Sequence, residues 1–286
     1  MAKIALREGL ARILFLASAG ISILAVALIC VFLFANGVPA MAQIGLPDFL
    51  FGTTWRPAND IYGIFPMIIG SIYVTAGAII VGVPAGLLCA IFLSRFASGT
   101  VARILKPGVE LLAGIPSVVY GFFGLVIIVP IIREVAVGNG LSLLAASILL
   151  GIMILPTIIT VAQSALDAVP RQYYEGALAL GADHERATFR IVVPAAISGI
   201  MAGVVLGVGR AIGETMAVIM VAGNQPVIPG SVFNGVRTMT ANIVLEMGYA
   251  ADLHRGALIA TGVVLFVFIL AITMIFNAMK RRGEVK

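Results

Sequence analysis

The chain has 286 residues, of which 61% are hydrophobic and only 11% are charged, and its formal net charge is +5. Soluble domains average about 45–50% apolar and about 25% charged residues, so this composition excludes a water-soluble globular domain. Apolar stretches long enough to cross about 30 Å of hydrocarbon recur along the chain. The sequence therefore predicts an all-α, polytopic membrane helix bundle, because helices satisfy their own backbone hydrogen bonds in lipid.

Six apolar stretches are predicted to span the membrane. They cover residues 13–35, 66–94, 110–132, 141–163, 194–222 and 256–279. Basic residues precede the first stretch, and Ala40-Met41-Ala42 resembles a signal-peptidase site. A cleavable signal has an apolar core of about 7–15 residues, which is shorter than this stretch. We therefore expect the first helix to be retained.

The Lys and Arg residues are distributed unevenly between the connections. Thirteen lie on the side that holds both termini, four lie on the opposite side, and Arg210 lies within a span. Because Lys and Arg concentrate in cytoplasmic loops, we predict a multi-pass protein of the cell (inner) membrane with both termini in the cytoplasm. The basic residues are spread over several loops and tails, so the net charge predicts contact with membrane lipid and no nucleic acid partner.

The sequence lacks the motifs of several catalytic classes. None of its four lysines follows a glycine, so the G-x-x-x-x-G-K-[ST] loop that binds ATP phosphates is absent. Its two histidines, His184 and His254, lie outside the predicted spans, and no Cys/His cluster has metal-ligand spacing. We expect no catalytic residue, no cofactor and no metal site, and we assign any ATP hydrolysis to a partner chain.

The longest cytoplasmic connection, 164–193, carries the signals of two short helices. Pro170 suits the first turn of a helix, Gly181 can end that helix, and Asp183 can cap a second one. Small residues in this connection permit close approach of another protein, and charged residues supply a polar rim. The composition is consistent with a docking surface or with a charged loop that only separates the helices.

A sequence motif in this connection favours docking. It reads Glu175-Gly176-Ala177, then Gly181, then Ile191-Val192-Val193-Pro194 after nine intervening residues. This spacing resembles the "EAA" loop of the binding-protein-dependent (type I, MetI-like) ABC importer permeases, with Gly176 where alanine is usual and Val193 where leucine is usual. In that family the loop is a coupling helix in a groove of the ATPase. The resemblance implies this role for about 170–190, with coupling residues Glu175, Gly176, Ala177, Gly181, Ile191 and Pro194.

The fifth predicted span has a small residue at every fourth position. These residues are Ala195, Gly199, Gly203, Gly207 and Ala211. Such a ridge lets helix backbones approach closely in lipid, so we predict that this helix lies inside the bundle. Arg210 and Glu214 lie near the ridge and can pair as i and i+4 neighbours on a continuous helix.

Two charges in one span call for an explanation, because each costs roughly 2.5–3.5 kcal/mol near the middle of a bilayer. In one interpretation, Arg210 and Glu214 only neutralise each other and fix the helix. In the other, Arg210 contacts an oxyanion in a transport pathway while Glu214 holds it in place. The two opposite charges would largely cancel, so a multiply charged anion would need further hydrogen-bond donors. Candidates are Thr215, Asn224, backbone amides at broken helices and a second arginine from a paired subunit.

Segment 209–217, Gly-Arg-Ala-Ile-Gly-Glu-Thr-Met-Ala, closely resembles the phosphate-specific permeases of the PstC type. Shorter segments before the second span, entering the third span and in the last external loop agree with that subfamily. They are Phe51-Gly52, Trp55, Pro57, Tyr62-Gly63-Ile64, Pro66, the run 111–121 and Thr238-Met239-Thr240-Ala241. The resemblance covers about 50–280. It implies a type-1 ABC transmembrane permease domain at 66–280, preceded by an N-terminal helix and external loop at 1–65.

This resemblance implies a permease subunit of an ATP-driven phosphate importer, with Arg210, Glu214 and Thr215 in its translocation pathway. It implies four partners: a second homologous permease subunit in a heterodimer, a cytoplasmic ATPase dimer, an external phosphate-binding protein and phosphate itself. Two alternatives stay open, a permease for sulfate or molybdate and a passive channel or membrane scaffold. In the external loops, we expect Trp55 to anchor at the lipid interface and 234–247 to form a short helix.

Overall fold

The structure is a computed structural model that describes the backbone of residues 2–136 and 138–284. Most of the described chain is helical, which confirms the predicted fold class. Five helices are long and apolar enough to span a membrane, and the bent pair His184–Ala195 and Ile197–Gly213 gives a sixth. Within the described ranges, strands occur in one antiparallel hairpin, in which Trp55–Arg56 (β1) pairs with Ile61–Tyr62 (β2).

The helices are numbered here in chain order. They are α1 Ala2–Ile44, α2 Leu46–Phe51, α3 Phe65–Ile91, α4 Gly99–Gly114, α5 Ser117–Phe123, α6 Val129–Val135, α7 Leu143–Asp167, α8 Arg171–Ala179, α9 His184–Ala187, α10 Val193–Ala195, α11 Ile197–Gly213, α12 Met216–Val221, α13 Met239–Glu246 and α14 Asp252–Glu284. Three π-helical turns, Phe92–Phe96, Gly124–Ile128 and Thr188–Val192, extend or join neighbouring helices.

Helix α7 lies at the centre of the bundle, with α3 and α11 packed closely against it. A Cβ atom on Gly82 of α3 would lie 2.7 Å from the carbonyl oxygen of Gly151. A Cβ atom on Gly207 of α11 would lie 2.9 Å from Cγ1 of Ile158. The small-residue ridge therefore does face another helix, as predicted, because only glycine allows these backbones to come so close.

Helix α1 packs along α14 at the edge of the bundle. Phe34 and Phe266 form an edge-to-face pair with ring centroids 6.0 Å apart. A Cβ atom on Gly37 would lie 2.7 Å from Cγ2 of Val263, so the two helices are in close contact there. Most other large apolar side chains described on α1 are exposed, which suits a helix that faces lipid.

The third predicted span, 110–132, begins too early. Helix α4 ends at Gly114, the backbone is extended at Ile115 and Pro116, and a new helix begins at Ser117. None of the α4 residues is buried, and Arg103, Lys106 and Glu110 interrupt its apolar residues. Such an amphipathic helix suits the plane of the membrane interface better than its interior.

The fifth predicted span, 194–222, is wrong as a continuous helix. Helix α11 ends at Gly213, Glu214 has extended backbone angles, and α12 starts at Met216. A second bend of 70° separates His184–Ala195 from α11. Hydropathy alone cannot show either break, because both sides of each break are apolar.

Candidate functional site

The break between α11 and α12 holds the three residues predicted to line a pathway. Glu214 has φ −68° and ψ 130°, so the chain leaves the helix directly after the turn that carries Arg210. One carboxylate oxygen of Glu214, Oε1, accepts hydrogen bonds from the backbone N–H groups of Thr215 at 3.1 Å and Ala217 at 3.2 Å. Glu214 therefore caps the first turn of α12, where a negative charge is favourable.

The predicted ion pair between Arg210 and Glu214 is wrong. The guanidinium of Arg210 donates from Nη1 to Oγ1 of Thr157 at 3.4 Å, and the ion pairs among the described side chains involve other residues. The physical reason is the helix break, because residues i and i+4 face each other only on a continuous helix. Both partners of the expected pair thus have other contacts.

One side of the last turns of α11 is open in this chain. A Cβ atom on Gly209 or Gly213 would meet no atom within 4 Å, whereas one on Gly207 would press on α7. Arg210 is half-buried between these two environments. Arg210 is thus a half-buried residue that directly follows the open position at Gly209 and lies one turn beyond the packed position at Gly207.

Helix α13, in the segment between α12 and α14, contacts the backbone of the break. The Thr240 hydroxyl donates to the carbonyl oxygen of Glu214 at 3.2 Å. Thr238 caps α13 by accepting from the N–H of Ala241 at 3.2 Å, and the N–H of Met239 donates to Ser71 of α3 at 2.9 Å. The expected short helix within 234–247 is confirmed. A side chain in its first turn, Thr240, is hydrogen-bonded to the backbone at the break.

The last turn of α13 belongs to a buried polar network that the sequence did not reveal. Glu246, only 6% exposed, accepts from Arg237 at 2.6 Å and from the indole N–H of Trp55 at 2.9 Å, and lies 2.9 Å from Nε2 of His254. Arg237 also donates to the carbonyl oxygen of Asn224 at 2.9 Å, close to the end of α12. The network thus joins the β1–β2 hairpin, the end of α12, α13 and α14.

Trp55 does not anchor at the lipid interface as expected. It is 6% exposed and stacks edge-on against Tyr62 across the hairpin, with ring centroids 5.6 Å apart. Burial and a hydrogen bond to Asp60 raise the pKa of Tyr62 to about 12, so its hydroxyl stays protonated and donates to Asp60. Glu246, which accepts the hydrogen bond of Trp55, lies 191 residues away from it in the sequence. No local sequence pattern marks such a pair.

The two short helices predicted in the connection 164–193 form as the sequence indicates, and α8 and α9 with the turn between them are called the elbow below. Pro170 immediately precedes α8, Gly181 ends the turn with φ +85°, and Asp183 caps α9 by accepting from the N–H of Arg186 at 2.6 Å. The Tyr174 hydroxyl lies 2.7 Å from Nδ1 of His184, which fixes the two helices to each other.

The outer surface of the elbow carries most of the predicted coupling residues. The exposed ones are Glu175, Gly176, Gly181, Ile191 and Pro194, while Ala177 is half-buried. Leu180, at the tip, is 91% exposed. The elbow and the break lie at opposite ends of α11, which is about 25 Å long at 1.5 Å per residue. The structure therefore does not bring the two groups of predicted residues together.

Comparison with known proteins gives a consistent result. The family described as "Binding-protein-dependent transport system inner membrane component" matches residues 82–284. The "Probable ABC transporter permease protein YqgH" of Bacillus subtilis is 39% identical, covering 96% of this chain and 91% of that protein. The "Phosphate transport system permease protein PstC" of Mesorhizobium japonicum is 34% identical, covering 90% of this chain and 85% of that protein.

A solved structure supports the same architecture. In the crystal structure of a bacterial ABC transporter involved in the import of the acidic polysaccharide alginate, one chain superposes with a TM-score of 0.58. It is 15% identical, and the match covers 91% of this chain and 94% of that one. At this level of identity the likeness concerns the fold alone.

Proposed function

Because the chain belongs to the family of binding-protein-dependent transport system inner membrane components, we propose that it is a permease subunit of an ATP-driven phosphate importer. Relatives from several organisms, all named phosphate transport system permease proteins, are 31–34% identical over most of the chain. The protein is a multi-pass component of the inner membrane, and its family is one of transport permease subunits.

The observation that carries the proposal is the position of Arg210. Arg210 is half-buried in the last turns of α11 and directly follows Gly209, whose surroundings are open. The neighbouring carboxylate of Glu214 is engaged by the N–H groups of α12. A planar fork of donors suits two oxygens of a tetrahedral oxyanion. Because Glu214 does not pair with Arg210, the positive charge of Arg210 is not neutralised by that carboxylate. Its attraction for an anion is therefore stronger than it would be in the ion pair expected from the sequence.

In this proposal, the partner proteins bind at the two ends of the helix bundle and along its open side. On the cytoplasmic side, the exposed elbow with Leu180 docks on a separate ATPase dimer, which hydrolyses ATP. On the outside, a phosphate-binding protein delivers phosphate. A second, homologous permease covers the open side of α11 and completes the pathway as a heterodimer. The Lys and Arg bias places both termini in the cytoplasm, and 1–65 precedes the permease domain at 66–280.

The proposal is tested by removing the charge of Arg210 in the assembled transporter. We expect Arg210→Gln to lower phosphate uptake into proteoliposomes at least 10-fold, because a charge-assisted contact to the anion is lost. Copurification of the ATPase and the second permease should be unchanged. Arg133→Gln, which removes an exposed charge at the end of α6, is the matched control.

Three results would argue against this function. Normal uptake by Arg210→Gln would remove Arg210 from the pathway. Competition by sulfate or molybdate as effective as that by phosphate would favour another oxyanion. Phosphate entry without ATP would favour a passive channel.

A further inference from the structure

Thr157 of α7 uses its hydroxyl differently from several other hydroxyls in the membrane helices. Those hydroxyls donate to the carbonyl oxygen four residues earlier in the same helix. The pairs are Ser164 with Thr160, Thr261 with Ala257 and Thr273 with Ile269, at 2.8–2.9 Å. For Thr157, the hydrogen bond that the described structure shows is the one that Oγ1 accepts from Nη1 of Arg210 at 3.4 Å. Its hydroxyl is therefore turned towards Arg210 rather than back along α7.

The backbone around Thr157 and Arg210 is held firmly. Pro156 precedes Thr157 in the buried part of α7, and Ile158 follows it at the closest approach to Gly207 of α11. Arg210 lies three residues after Gly207, which is about one helical turn further along the same face. The tight packing of the two helices thus fixes the backbones that carry Thr157 and Arg210.

A hydroxyl can accept two hydrogen bonds and donate one. In Thr157 the oxygen accepts from Arg210, so the proton is left for another acceptor. The open space beside Gly209 and Gly213 lies on the same end of α11, and a bound oxyanion would bring acceptor oxygens there.

We infer that Thr157 belongs to the oxyanion site of the pathway, where its hydroxyl positions the Arg210 guanidinium and donates its own proton to the transported tetrahedral oxyanion. The inference rests on the proposed function and names a recognition residue on a helix other than the one that carries Arg210. It also supplies one of the additional donors that a multiply charged anion requires.

The test compares Thr157→Val, which has nearly the same shape but no hydroxyl, with Thr157→Ser, which keeps it. The complete transporter is reconstituted in proteoliposomes with phosphate-loaded binding protein. We expect Thr157→Val to lower the maximal rate of phosphate uptake about 10-fold, as for loss of a hydrogen bond to a charged group. The KM for the binding protein should not change, and Thr157→Ser should restore most of the rate.

Two controls separate this role from a structural one. Thr160→Val, one turn further along α7 at an exposed position, should transport normally. In an Arg210→Lys background, Thr157→Val should cause a smaller further loss than in the native chain, since residues that act together are not additive. Should Thr157→Val fail to assemble with its partners, Thr157→Ala replaces it in the same comparison.

Unchanged uptake by Thr157→Val, or no recovery in Thr157→Ser, would overturn the inference. If Arg210→Gln loses uptake while Thr157→Val does not, the proposed function stands and the role of Thr157 fails. If the native transporter carries no phosphate, both fail.

Discussion

The carboxylate of Glu214 accepts hydrogen bonds from backbone N–H groups and does not pair with Arg210, one turn before it. Two N–H groups at the start of α12 point at one carboxylate oxygen, and the helix dipole adds to their attraction. The i and i+4 spacing predicts an ion pair only if the helix continues through both residues. The short sequence Gly213-Glu214-Thr215 instead ends one helix and caps the next.

The cap can be tested at Glu214 itself. Glu214→Gln keeps an acceptor oxygen for the N–H groups of α12, whereas Glu214→Ala removes it. We expect Glu214→Ala to lower stability by about 0.5–2 kcal/mol, the usual effect of losing a cap, and Glu214→Gln to lower it less. Thermal unfolding of the purified protein in detergent measures both. Equal losses in the two variants would show that the charge matters and the cap does not.

At the scale of elements, the close contact between α7 and α11 sets the position of the candidate site. The glycines of the ridge are readable from the sequence, because their period of four places Gly199, Gly203 and Gly207 on one face of α11. Ala195 lies before the 70° bend and is exposed, so it does not share that face. The break that follows was not readable, since α11 and α12 are equally apolar and no proline or long polar stretch separates them. The capping signals of the elbow, Pro170, Gly181 and Asp183, lie in a polar segment and were therefore predicted correctly.

Gly207 and Gly209 are a matched pair for testing this contact. A Cβ atom on Gly207 would lie 2.9 Å from Ile158, whereas one on Gly209 would meet nothing within 4 Å. We expect Gly207→Ala to destabilise the purified chain by about 1–3 kcal/mol through overpacking, and Gly209→Ala to be neutral or slightly stabilising. Melting temperatures in detergent report the difference. A loss of stability in Gly209→Ala alone would contradict the packing described for α11.

At the scale of the whole molecule, contacts between distant segments join the external surface to the break. Glu246 connects Trp55, Arg237 and His254, and α13 runs from this network to the carbonyl of Glu214. Sequence reasoning assigned Trp55 to the lipid interface because that is the common position for such a residue. Its actual partner is 191 residues away, so only the folded chain shows the connection.

The cytoplasmic end offers a test of coupling across the whole transporter. Gly181 has φ +85°, a conformation that costs a β-branched residue about 1–2 kcal/mol, so Gly181→Val should distort the elbow. We expect phosphate uptake per ATP hydrolysed to fall several-fold, or the ATPase to dissociate, while the membrane helices stay folded. Unchanged ATP-coupled uptake would contradict the assignment of the elbow as the docking site.

The pairing of α1 with α14 has a consequence for biosynthesis. Helix α1 is synthesised before its main partner α14, so Phe34 cannot meet Phe266 until more than two hundred intervening residues have been made and inserted. During that interval, α1 must rest in the bilayer surrounded by lipid or by the insertion machinery. A chain stopped before α14 would leave α1 without that partner, and such incomplete chains would present a lone hydrophobic helix to membrane quality control.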